Sequence, residues 1–344
     1  MPRKVRLKDI ADETGVSIGT VSYVLNHADV PISEEVRTRV LAAAKKLNYT
    51  TNWAAKSLKL QHNNAIGVVV EDMRSWFLPP LIDGICRYAE ESDVRVLLCN
   101  LRADSKANSM SHQNLSVYQA QIAEQVRNTF GNQVDGLLYI AAFNRDVSDV
   151  FLPENDRTVF VYCHCGDSRK YPSVHYNDWQ GAELATRYLL EKGHRKIAYV
   201  NGLGGETTPG QKRRDAFLST MQAYQLPVEP EMVMDCSNWS FESLEHLLSS
   251  DKRPTAVFVN MDALCEPLYD ICHRLKIRIP EELSVIGFDN YEVSWHLRPR
   301  LTTISFPADE IGYQAARLVC EKTENTGEYL LDCSLIERES VQKV

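Results

Sequence analysis

The stretch from Val16 to Asn26, VSIGTVSYVLN, carries side chains suited to reading the surface of another molecule. Val21, Val24 and Leu25 recur at i, i+3 and i+4, the spacing of the inward face of a helix. Ile18, Gly19, Ser22 and Tyr23 are thereby left facing outward. They are poor choices for an isolated helix, where glycine costs roughly 1 kcal/mol against alanine and β-branched Thr20 and Val21 lose rotamer freedom. In a DNA major groove the same residues have uses. Gly19 admits close backbone approach, Ile18 matches a thymine methyl, and the Tyr23 hydroxyl matches a base edge. Ser17, Thr20, Ser22 and Asn26 add short donors for phosphate oxygens.

A second constellation lies at the ends of apolar runs further along. Asn177 and Trp179 follow a short run at 173–176, Trp239 follows VMDCSN, Asp262 ends AVFVNMD, and Asp289 ends SVIGFD. Tryptophan stacks on sugar or base rings, and carboxylates take hydroxyls in pairs. Each has a structural alternative, since an Asp at a strand end often caps the next helix and a Trp is often core. Their recurrence at comparable strand ends is what favours a binding site. Enzyme signatures are weak. NGLGG (201–205) lacks both GxGxxG spacing and a following GK[ST], and neither GxSxG nor HExxH occurs. Cys163-His164-Cys165 has no second ligand pair at zinc spacing and reads as two buried thiols. No cofactor, metal or catalytic residue is expected.

These residues need elements to hold them. Leu7–Glu13 places Leu7, Ile10 and Ala11 at helical spacing. Gly15 suits a left-handed turn. Ser17 can cap the next helix by accepting an N–H from residue 19 or 20. A third helix starts with Ser33 as its cap and Glu34-Glu35 at its positive end, with Val36, Val40, Leu41, Ala44 and Leu47 as its apolar stripe. Two short helices around a Gly turn are a helix-turn-helix pattern. Charge agrees with that. Residues 1–62 hold ten Lys/Arg and six Asp/Glu, a net +4, whereas the remaining chain is −12, giving −8 over 344 residues. A basic head on an acidic body points to a polyanion partner. From residue 65, runs such as AIGVVVED, VRVLLCN, VDGLLYIA, TVFVY, KIAYVNG, TAVFVN and LSVIGFDN alternate with segments of helix length. This is the rhythm of a doubly wound parallel sheet. There is no apolar run of membrane-spanning length and no signal-peptide pattern. Nine scattered cysteines fit a reduced, cytoplasmic interior.

LKDIADETGVSIGTVSYVLN closely resembles the N-terminal signature of the LacI/GalR family of bacterial transcription regulators, and the likeness continues through RVLAAAKKLNY and NWAAKSLK along nearly the whole chain. Arg6 and Thr51 depart from the pattern. Arg6 stands where a Ser or Thr cap is usual and adds a possible phosphate contact; Thr51 replaces a proline. The resemblance implies that residues like Ile18, Gly19 and Tyr23 read bases. It implies a head at 1–51, a hinge helix and linker at 52–62, and an effector-binding and dimerisation body at 63–344. In the hinge, Leu58 would wedge into the minor groove, Ala54 and Ala55 would let paired hinges approach, and Lys59 would meet DNA. The body would form two lobes like those of periplasmic binding proteins, about 64–190 plus 307–333 and about 191–306 plus 334–344. Phe77 and Arg213 match ligand-contacting positions of the family, with Trp76 a weaker candidate beside Phe77. The polar stretch 101–118 is longer than the family pattern and is read as a loop leading into a helix at Gln119–Phe130. The expected function is a homodimeric repressor on a near-palindromic operator of double-stranded DNA. Its effector would be a small molecule, a sugar or glycoside, with a purine-like corepressor as the alternative. A binding protein with no DNA role would account for the body but not the head.

Overall fold

The computed structural model describes residues 5–25, 30–50, 63–102, 115–142, 144–148, 150–151, 157–166, 170–202, 208–236, 238–321 and 327–344. Asn26, the hinge residues Ala54, Ala55, Leu58 and Lys59, and most of the polar stretch at 101–118 lie outside them. The chain divides into two compact units, Met1–Asn63 and Asn64–Val344.

The first unit holds helices α1 (Leu7–Thr14), α2 (Ile18–Leu25) and α3 (Glu34–Lys46). Ile10, Val21, Val24 and Val40 form its fully buried centre, with Ala11, Ala43 and Ala44 around them. Gly15 ends α1 at φ +69°. The Ser17 hydroxyl accepts the Thr20 N–H at 3.0 Å, and the Ser33 hydroxyl accepts that of Val36 at 3.4 Å. Arg6 cannot accept at the start of α1, but Asp9 reaches back and accepts the Arg6 N–H at 2.7 Å, which supplies half of a capping box. Leu41 is exposed and Ala43 takes its place inside. The apolar stripe of α3 thus runs through Ala43 rather than Leu41 at that turn.

The second unit contains two six-stranded sheets with helices between strands. The first sheet uses β1 (Ala65–Val70), β2 (Arg95–Asn100), β3 (Gly136–Ile140), β4 (Thr158–Val161), β5 (Ser173–Tyr176) and β11 (Glu328–Leu331), in the order β11-β5-β4-β3-β1-β2, parallel throughout. The second uses β6 (Ile197–Asn201), β7 (Val233–Asp235), β8 (Ala256–Val259), β9 (Ser284–Phe288), β10 (Thr302–Ser305) and β12 (Ser334–Ile336), in the order β12-β10-β9-β8-β6-β7. It is parallel except for the edge strand β12, which runs antiparallel to β10. Central strands β1, β3, β4, β6, β8 and β9 are buried along their whole length. That is why they read as continuous Val/Ile runs. Helices α4 (Leu78–Glu91), α5 (Leu115–Phe130), α6 (Asp178–Glu191), α7 (Thr208–Ala223), α8 (Glu242–Ser249), α9 (Cys265–Leu275), the short α10 (Val293–His296) and α11 (Ala308–Glu321) fill the connections. Helix α5 begins at Leu115, four residues ahead of the expected start at Gln119.

The chain passes between the lobes after β5, after β10 and after β11. The first passage comes earlier than the expected boundary near 190, because α6 belongs to the second lobe. A side-chain carbon at Gly181 would lie 2.8 Å from the Phe288 ring of β9, so α6 rests directly on the second sheet. The Lys192 carbonyl just past α6 accepts the Val344 N–H at 2.9 Å. Gln180 also clasps the third passage, accepting the Cys333 N–H at 2.8 Å and donating to its carbonyl at 3.2 Å.

Candidate functional site

Helix α2 presents the outward set expected of it. Ile18 and Tyr23 are each 48% exposed, unusual for large apolar side chains on an eight-residue helix whose opposite face is core. A Cβ on Gly19 would meet only the Ser17 hydroxyl at 3.5 Å. Nothing inside the unit requires glycine there. Ser17 and Thr20 share a hydroxyl–hydroxyl bond of 2.9 Å, so these two are preorganised by the cap, and Arg6 is exposed beside the start of α1. The result is a rigid, small-residue face bordered by an apolar and an aromatic tip, with the geometry of a groove reader.

In the body, the chemistry gathers where the two lobes meet. Arg213 on α7 is 1% exposed. Its Nε donates to Asp178 at the start of α6 at 2.7 Å, and its Nη2 donates to the Tyr176 hydroxyl at the end of β5 at 2.9 Å. Its Nη1 donates to the Asn260 carbonyl just past β8 and, at 3.4 Å, to Asp289 just past β9. The guanidinium also stacks on Phe288, 3.6 Å from the ring centroid. The end of β5 from the first lobe and the ends of β8 and β9 with helices α6 and α7 from the second therefore converge on one cation at strand C-termini, where open α/β sheets bind ligands. Aromatic rings wall the junction. Phe306 stacks on Tyr176 at 4.4 Å, Phe77 meets Tyr162 edge-on at 4.9 Å, and Trp76 of the first lobe approaches Tyr291 of the second at 5.2 Å.

Electrostatics mark the same group. Burial lifts the Asp289 carboxyl to about 7, against the pull of Arg213 and with a push from Asp178. Burial lifts Asp178 as well, opposed by Arg213. Two buried carboxyls thus lean on one guanidinium, and burial pushes both of them toward the protonated form. Asp289 sits at φ +109° and Tyr162 at φ +58°, a region that non-glycine residues occupy mainly where the surroundings enforce it. The Tyr162 hydroxyl is buried and has no hydrogen-bond partner among the described residues. A buried donor left unpaired is costly, and the Tyr199 hydroxyl, electrostatically coupled to Arg213, is in the same condition.

The structure joins Arg213 and Asp289 and puts Phe77 and Trp76 on the wall. It separates the others. Both Asp262 oxygens are engaged within the second lobe, accepting the Thr303 hydroxyl at 2.7 Å and the Tyr291 N–H at 2.9 Å. Asp262 is fully buried and braces the turn that carries Asp289 and Tyr291. Asn177 caps α6, accepting the Gln180 N–H at 3.1 Å, and donates to Asp332 at 3.2 Å. Trp179 is 42% exposed, and Trp239 is 59% exposed with its ring near Phe241. Sequence reading missed Tyr162, Tyr176, Asp178 and Phe306. Asp178 sits in the first turn of a helix, where an acidic residue looks like a complement to the helix dipole. The tyrosines look like ordinary strand residues. Their signal was position: Tyr176 ends β5 and Tyr162 directly follows β4.

Residues 6–52 match the model for bacterial regulatory proteins of the lacI family, and residues 186–341 match that for a periplasmic binding protein-like domain. The ribose operon repressor of Escherichia coli (strain K12) is 31% identical over 313 residues, covering 89% of each chain. The HTH-type transcriptional repressor PurR of Photorhabdus laumondii subsp. laumondii is 28% identical over 344 residues, covering 97% of this chain and 96% of its own. Among solved structures, the lac repressor dimer bound to operator and the anti-inducer ONPF aligns with a TM-score of 0.74 at 21% identity, covering 99% of this chain and 100% of that one. The regulator CelR in complex with cellobiose aligns with a TM-score of 0.62 at 22% identity, over 98% and 100%. With its helix-turn-helix head and two-lobed body, the chain belongs to the lacI family of bacterial regulatory proteins, DNA-binding regulators of transcription with an effector-binding domain.

Proposed function

We propose that this protein is a homodimeric repressor whose affinity for a near-palindromic operator is set by a small molecule, a sugar or glycoside, held between the two lobes. The head reads bases through Ile18, Gly19 and Tyr23 and is positioned on phosphates by Arg6, Ser17, Thr20, Ser22 and Asn26. The hinge residues Ala55, Leu58 and Lys59 engage the minor groove. The protein acts in the cytoplasm and associates with the nucleoid when bound. The observation that carries the effector reading is the buried Arg213–Asp178–Asp289 group at the lobe junction, ringed by aromatics and holding an unpartnered Tyr162 hydroxyl. A ligand bridging both lobes favours their closed arrangement, and this change in the body would pass to the paired hinges. The coupling is reciprocal: an effector that weakens operator binding is itself bound less tightly on operator.

A purine-like corepressor is the second reading, favoured by the flat rings of Trp76, Phe77 and Phe306, which suit a heterocycle. A thermal-shift screen of sugars and purines against the full chain, followed by operator titration with each hit, separates the two. Asp289→Ala should reduce binding of the true effector at least tenfold, about 1.4 kcal/mol. Equal affinity in that variant would move the site elsewhere.

A further inference from the structure

Asp289 lies on a turn that its own backbone disfavours. Asp289 and its neighbour Asn290 both sit at positive φ, +109° and +53°. Two successive non-glycine residues keep such a conformation only where the surroundings enforce it. Strand β10 supplies part of that enforcement. Its Ile304 carbonyl accepts the Asp289 N–H at 2.8 Å, and its Thr303 and Ser305 hydroxyls accept from the Asn290 N–H and side-chain amide, each at 3.4 Å. Asp262 accepts the Tyr291 N–H at 2.9 Å. The shortest tie comes from a residue 48 positions further along the chain. Arg338, just past β12, donates from Nη2 to the Asn290 side-chain carbonyl at 2.6 Å. From Nη1 it donates to the Leu301 carbonyl at 2.7 Å and the Ser294 hydroxyl at 3.1 Å. Its guanidinium also lies 4.1 Å from the centroid of the half-exposed Trp295 ring. Among the described residues no carboxylate pairs with it directly; Asp262 acts on it through space. A planar fork of donors is thus spread over α10, the residue before β10 and the turn at once, a task for which a lysine ammonium lacks the geometry.

Resting on the effector reading above, we propose that Arg338 is a positioning residue of the effector site. It touches no ligand. It locks the Asp289–Asn290–Tyr291 turn, so that the Asp289 carboxyl stays against Arg213 and the Tyr291 ring stays against Trp76 of the first lobe. The Arg213–Asp289 bond is long, at 3.4 Å, and near the limit at which such a bond survives. A small rotation of the turn would therefore break it first. A residue that only stapled the segment after β12 to its lobe would act alike whether or not the Asp289 carboxylate were present. A positioning residue acts through Asp289.

The test joins hydrogen exchange at single amides with calorimetry, both on the full chain. In Arg338→Met without ligand, the Asp289, Asn290 and Tyr291 amides should lose protection at least tenfold. Arg338→Lys, a point charge without the fork, should recover only part of it. Ser340→Ala is the comparison. Ser340 fastens the same segment to the second sheet by donating to the Val285 carbonyl and accepting the Thr302 N–H. Its loss should lower the melting temperature and expose the Thr302 amide, while the three turn amides stay within about threefold of the parent. Unchanged turn protection in Arg338→Met, or an equal loss in Ser340→Ala, overturns the proposal. Asn290→Gly cuts the link from the other end and still permits the left-handed backbone. It should loosen the Asp289 and Tyr291 amides in the same way, and it carries the test if Arg338→Met does not fold. For binding, the probes are ribose, glucose, galactose, cellobiose and hypoxanthine. Whichever binds most tightly should bind Arg338→Met at least fivefold more weakly. The same substitution in an Asp289→Asn background should change affinity less than about twofold, because the loss runs through Asp289. Equal losses in the two backgrounds overturn the proposal. Binding by none of the probes overturns the effector reading instead, and the exchange result decides by itself whether Arg338 holds the turn.

Discussion

The two functional regions are built on opposite plans. On α2 the residues assigned to DNA are exposed and dispensable to the unit that carries them. Ile18 and Tyr23 stand half in solvent, and Gly19 has room for a side-chain carbon. At the lobe junction, the residues assigned to the effector are buried and depend on one another. Arg213 is held by Asp178, Asp289, Tyr176 and Asn260. The reader's face is therefore free to change without unfolding the head, whereas the sensor is part of the core of its domain. Function and stability separate in the first region and are coupled in the second.

Substitutions can break or sharpen this contrast. The largest effect should come from Arg213→Met, which strands two buried carboxylates and should cost about 3–5 kcal/mol of stability in urea unfolding. Adding Asp178→Asn and Asp289→Asn to it should restore much of the loss; no restoration would mean that packing on Phe288, not charge, dominates. Next is pH. Asp289 is lifted to about 7 in the folded chain, above its unfolded value, so the folded state holds an extra proton between the two. That contribution is fully present in acid and is lost as pH rises through about 7. The melting temperature should drop more between about pH 4 and pH 7 in the parent than in Asp289→Asn; parallel profiles would place the proton elsewhere. On α2, Tyr23→Ala should change stability by no more than about 0.5 kcal/mol. It should also remove about 1–3 kcal/mol of discrimination at one position per half-site, read by competition binding. The smallest effect is that of Gly19→Ala, which should stabilise the head by up to about 1 kcal/mol. It should nevertheless weaken specific binding, because the added carbon occupies space that the protein leaves empty. If both thermal stability and operator affinity rise, Gly19 has no part in recognition.

Much of this contrast was legible in the sequence, unevenly so. The head was clear because its signals are local: Ser17 and Ser33 caps, the Gly15 turn, and inward Val21 and Val24 at helical spacing. The buried parallel strands were clear because full burial writes itself as unbroken Val/Ile runs. Strands β10 to β12 were not, because TTIS, EYLL and SLI are short, and two of them lie at sheet edges where alternation is weak. The owner of α6 was hidden for a different reason. A helix following a strand looks the same whether it returns to that sheet or crosses to the next, and only the packing of Gly181 on Phe288 decides it. In the candidate site, a strand end pointed to Asp289 and the family resemblance to Arg213, and the structure brings the two together. Strand ends also proposed Asp262, whose oxygens are spent on Thr303 and Tyr291, and Trp179 and Trp239, which lie exposed. A single residue type at a strand end does not say which way its side chain is committed. An orphaned hydroxyl such as that of Tyr162 exists only in three dimensions.

Specific reading of DNA is expected to reside in the α2 face and nowhere in the body. Selection of DNA from a random double-stranded library tests it most directly, run in parallel with the full chain, its Tyr23→Ala variant, and a chain beginning at Asn64, where the second compact unit starts. The full chain should enrich a near-palindromic motif, Tyr23→Ala should relax one position in each half-site and leave the others, and the chain from Asn64 should enrich nothing while remaining folded. The same motif recovered without the head, or an unchanged motif from Tyr23→Ala, would contradict it.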